Sequence, residues 1–87
     1  MSNLYLAVLP SLNRVFVTVP ASSQVKIING ADNTVVQTVQ LTGAPRLIAA
    51  NPATNRLYMV LEGTPGKVVA MDGTNGSVIA TIPIGSN

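Results

Sequence analysis

The chain has 87 residues and a net charge of +2, and it contains neither His nor Cys. With no imidazole base, no thiolate nucleophile, no disulfide and only three carboxylates, neither catalysis nor a metal or cofactor site is expected. The five basic residues are scattered and aromatic residues make up 3% of the chain. No apolar run approaches the roughly 18 residues of a spanning helix, so neither nucleic-acid binding nor membrane insertion is expected.

In chain order, short apolar segments alternate with turn residues. Tyr5–Val8 is the first predicted strand. "LPSLNR" turns the chain into Arg14–Val19, where Val15, Val17 and Val19 point one way and Phe16 the other. "PASS" leads to Val25–Ile28. "NGADNT" supplies the Gly and Asn of a hairpin that ends in Thr34–Val39. In that strand Val35 and Val39 are expected to oppose Val36. After "TGAP" come Leu47–Ala50, Arg56–Leu61, Val68–Met71 and Ser77–Ile82. Between them, Pro52 suits the second position of a type I turn, and Asn55 tolerates the left-handed conformation that closes it. "EGTPG" forms another connection. In "DGTNGS", Asp72 is expected to hold the backbone and Gly76 to take a positive φ.

The second half repeats the first. Ala7 matches Ala49, Pro10 matches Pro52, Asn13 matches Asn55 and Arg14 matches Arg56, each 42 residues apart. Past the next loop the interval is 43, pairing Val25 with Val68, Gly30 with Gly73, Val35 with Val78 and Thr38 with Thr81. Ser2-Asn3 recurs as Ser86-Asn87, so the chain divides into units 1–44 and 45–87. A sheet that is apolar on both faces must be sandwiched. Four-stranded units of about 40–45 residues, each packed between neighbours, are β-propeller blades. The expected fold is therefore all-β: two four-stranded antiparallel β-propeller blades that complete a ring by homo-oligomerisation.

"NPATNRLYMV" followed by "KVVAMDGTNGSVIATIPIGSN" resembles the YVTN-type β-propeller repeat over the whole second unit. "LPSLNRVFVT" with "VKIINGADNTVVQTV" resembles it more loosely in the first. The resemblance implies a propeller, often of seven blades, from extracytoplasmic or surface-layer proteins, some relatives being subunits of quinoprotein dehydrogenases. This chain departs from the pattern in having two units, and its start, "MSNLYLAVLP", lacks the basic region of a signal peptide. It reads as an excised, minimal or engineered unit, and its compartment is left open. One functional expectation is a non-catalytic, self-assembling scaffold or binding module. The alternative is a piece of a surface-layer-type binding protein or of a dehydrogenase's propeller subunit.

Individual residues carry further expectations. Phe16, Tyr58, Val15 and Val17 are expected to pack between blades. Arg46 and Glu62, the charges at one loop end, mark a candidate ligand-binding surface, with the ligand (a small molecule or a glycan) left open. Arg14 and Arg56 recur at one position; they start strands with their stems over apolar surface, or form a ring of cations in the assembly. "DGTNG" reads as a hairpin turn in preference to a calcium loop, because the alternating acids and closing Glu of an EF-hand are missing. Asn75-Gly76-Ser77 is formally a glycosylation triplet. Pairs of blades cannot make seven, so the partner is the chain itself, as a homotetramer with eight blades or a homotrimer with six. Blades rotate by about 51° in a seven-bladed ring, about 60° in six and about 45° in eight, so eight needs the smaller adjustment. The entropy of association leans toward the trimer, and the balance favours the tetramer narrowly.

Overall fold

In a computed structural model, the alternation of aliphatic segments with Pro, Asn and Gly turns produces eight antiparallel strands. The structure describes residues 4–63 and 66–85. β1 (Tyr5–Leu9), β2 (Arg14–Val19), β3 (Gln24–Asn29) and β4 (Thr34–Gln40) form one sheet in that order. β5 (Pro45–Asn51), β6 (Arg56–Leu61), β7 (Gly66–Asp72) and β8 (Val78–Gly85) form the other. The chain is thus all-β, with two four-stranded antiparallel sheets, one from each sequence repeat.

The bounds of β2 and β6 are those expected from the sequence, and most other strands run slightly longer. β5 starts at Pro45 and β8 continues through Pro83 to Gly85, where the sequence predicts a start at Leu47 and an end at Ile82. Proline costs little there, because both are edge strands with one side free of ladder bonds. Ser77 lies outside β8. Its N–H donates to Asn75 Oδ1 at 2.9 Å, and its carbonyl accepts from the Asp72 N–H at 2.8 Å, which closes the hairpin turn.

The turns follow their residue chemistry. Pro10–Leu12 is a single 3-10 turn closed by Asn13 at φ 53°, whose N–H donates to Pro10 O at 3.1 Å. Asn55, its counterpart, sits at φ 55°. Proline presets the entry dihedral, and asparagine tolerates the left-handed exit. Pro20–Ser22 repeats the device with Ser23 at φ 54°. Gly76, at φ 76°, takes the positive dihedral expected of it. The "EGTPG" connection lies partly outside the described residues.

One expectation about side-chain direction is corrected. In the β3–β4 ladder Ile27 pairs with Gln37 and Ile28 with Val35, so Val36 is an extra residue in a β-bulge. Val39 pairs with buried Val25, while Val35 pairs with Ile28 on the opposite face. Val35 and Val39 therefore lie on opposite faces, because the extra residue shifts the two-residue alternation. The same bulge recurs in β8, where Ala70 pairs with Ala80 and Met71 with Val78, skipping Ile79.

The sheets pack face to face, with β1 and β2 against β5. Between them lie Leu9, Phe16, Val25 and Ile27 from the first sheet and Leu57, Met59, Leu61, Val69 and Met71 from the second. Leu41, from the connection between sheets, closes one end of this core. Phe16 and Leu57 are fully buried. Burial of such side chains contributes roughly 1.5–3 kcal/mol each. No helix of the described residues is long and apolar enough to cross a membrane.

Candidate functional site

Each sheet has one inward and one outward face, and large hydrophobic side chains are exposed on both outward faces. On the first sheet the register puts Leu6, Val17 and Lys26 in one outward row and Val8, Val15 and Ile28 in the next. Leu6 is 62% exposed. On the second sheet the rows are Ala49, Tyr58, Ala70 and Ala80, then Val60, Val68 and Ile82. Leu47, Ala49, Tyr58, Val60 and Val68 border a hollow of about 420 Å³ on that face. Large contiguous apolar surfaces of this kind mark interaction sites on soluble proteins.

The structure separates the four residues expected to pack between repeats. Phe16 lies between the two sheets. Tyr58, Val15 and Val17 lie on the outward faces, so within one chain they do not pack between the sheets. The alternation explains it: Leu57 and Met59 join Phe16 in the core, and Tyr58 stands between those two on its strand, pointing away.

At one loop end, Arg46 Nη1 meets Glu62 Oε2 at 3.2 Å, with both side chains substantially exposed. Their charges satisfy each other. An exposed pair of this kind contributes about 1 kcal/mol or less. Arg14, at the start of β2, donates from Nη1 to Asn29 Oδ1 at 3.1 Å and to the Asn13 carbonyl at 3.3 Å, which ties β2 to the next hairpin. Arg56 occupies the same register position beside Asp72.

Asp72 Oδ1 accepts from the Thr74 hydroxyl at 2.6 Å and from the Thr74 N–H at 2.9 Å. These two bonds, with the nearby Arg56 charge, hold its carboxyl below the ordinary 3.8, and desolvation opposes them. Asp32 makes the matching turn bonds to Thr34 in the first repeat. The carboxylates of both aspartates are thus occupied in their own hairpins. Among the described residues, no group of three or more His, Cys, Asp or Glu could hold a metal ion.

Three contributors were missed in the sequence. Thr18 is fully buried, and its hydroxyl both donates to the Tyr5 carbonyl at 3.3 Å and accepts the Tyr5 N–H at 3.2 Å. Gln37 Nε2 donates to the Asn75 carbonyl at 3.0 Å, bridging the first sheet to the β7–β8 turn. Ser11 Oγ donates to Asn55 Oδ1 at 3.0 Å, a second bridge between the repeats. All four bonds are long-range, so local pattern carries no sign of them.

Comparison with protein-family models and with curated proteins finds no match for this chain.

Proposed function

We propose that this protein is a non-catalytic, self-assembling β-propeller scaffold. Its two sheets act as adjacent blades, and further copies of the chain supply the rest of a ring. One observation carries the reading: two repeat-encoded sheets pack face to face, and each leaves large hydrophobic side chains on its outward face. Four-stranded sheets arranged radially are the architecture in which every such face is covered. Three chains give six blades and four give eight. The lack of His and Cys and the engagement of Asp32 and Asp72 in turns agree with a structural role. In such a ring Ser86-Asn87 of one copy is expected to approach Ser2-Asn3 of the next; these four residues lie outside the described ones.

Sedimentation velocity over a range of micromolar concentrations tests this reading. A single, compact oligomer that stays constant on dilution supports it. A monomer throughout would refute it.

A further inference from the structure

The two outward faces are the two halves of a contact that the chain already makes once. The sequence repeat relates residues on the inward face of each sheet to residues on the outward face of the other. On the inward face of the first sheet stand Phe16, Thr18 and Val25. At the equivalent positions, Tyr58, Val60 and Val68 form the outward face of the second sheet, around its hollow. Conversely, Leu57, Met59 and Leu61 form the inward face of the second sheet, and Val15, Val17 and Val19 hold those positions on the outward face of the first. The internal contact joins a Phe16-type face to a Leu57-type face. What remains unused on the chain is one face of each type.

We propose that the Tyr58 face of one copy receives the Val15–Val17–Val19 face of another, as the Phe16 face meets the Leu57–Met59–Leu61 face within the chain. This rests on the scaffold reading above and specifies which surfaces meet. The contact is heterologous, so it leaves a free face at each end of any open assembly and runs on until a ring closes. Side-chain volumes shift in compensating directions. Val15, Val17 and Val19 are smaller than Leu57, Met59 and Leu61, while Tyr58 is larger than Phe16 and Val60 replaces Thr18.

The contact between copies differs from the internal one in polarity. The internal contact carries the Gln37–Asn75 and Ser11–Asn55 hydrogen bonds. The repeat puts Ala80 and Ala53 in place of the two donors, and neither has a side-chain donor. Lys26 is the charged residue in the outward rows of the first sheet, and its Nζ reaches across to its partner on β4, donating to Thr38 Oγ1 at 3.4 Å. Contact between copies is therefore driven by apolar burial, and sulfate strengthens it while sodium chloride leaves it largely unchanged.

Two charge insertions test the pairing. Val17→Glu disables one face and Val60→Glu the other, with Val17→Gln and Val60→Gln as milder replacements if either glutamate unfolds the chain. Each variant alone should sediment as a monomer. An equimolar mixture, at the highest concentration at which both stay soluble, should form a 1:1 heterodimer and go no further, because one intact face of each type remains. Self-association of Val17→Glu would show the Tyr58 face pairing with itself, and the absence of a heterodimer would show that the two faces do not match. Either result overturns this inference but leaves the scaffold reading in place, provided the unaltered protein assembles. A monomeric unaltered protein would refute both.

Discussion

At Gly73 the backbone N–H donates to the Asn55 carbonyl at 2.8 Å, as that of Gly30 donates to Asn13 in the first repeat. The hairpin lies so close to the left-handed turn that a Cβ on Gly73 would stand 2.7 Å from Asn55 O and collide with Leu9. The fixed atom is backbone, so the strain cannot be relieved by a rotamer change. Gly73→Ala should cost about 1–3 kcal/mol, as overpacking does, read from the urea midpoint. Gln37→Ala should cost about 0.5–1.5 kcal/mol by removing the bridge to Asn75. Asp72 gives a pH signature. Its folded carboxyl titrates below the ordinary 3.8, so the stabilisation is complete above that value. It is lost as the pH falls through the lowered folded value. The urea midpoints of the native protein and Asp72→Asn should differ at neutral pH, and the part of the gap due to charge should close in acid.

At the scale of the strand, alternation decides which residues stabilise the chain and which serve its surface. Phe16 and Tyr58 occupy equivalent positions, yet Phe16 is fully buried and Tyr58 lies outward. Phe16→Ala should cost about 3–5 kcal/mol of folding stability. Tyr58→Ala should keep the β-sheet spectrum and lower association instead, and circular dichroism with sedimentation separates the two effects. Much of this level could be read from the sequence. Eight strands, their grouping by repeat, the left-handed Asn13 and Asn55 and the positive φ of Gly76 all follow from local residue chemistry. The bulges at Val36 and Ile79 could not be read, because a bulge is set by how two strands align and not by one strand's pattern. Pro45 and Pro83 looked like strand ends, since edge position is a property of the sheet. Of the candidate faces, the sequence identified the apolar residues, but only the packing separates Phe16 from Tyr58, Val15 and Val17.

The whole molecule measures 39 × 29 × 16 Å. Two sheets stacked at about 10 Å, with side chains on their outer surfaces, account for the smallest dimension. Both broad sides of this slab are aliphatic, with Leu6, Val8 and Leu47 among the exposed residues. The slab has one covered interface and two uncovered apolar faces, and the proposed assembly rests on that feature. The mass of the undisturbed assembly by native mass spectrometry is the most direct test. A single species at three or four times the 9.0 kDa chain mass, with no ladder of intermediates, is the expected result for a closed ring. A species at the mass of one chain, or an open ladder that lengthens with concentration, would contradict it.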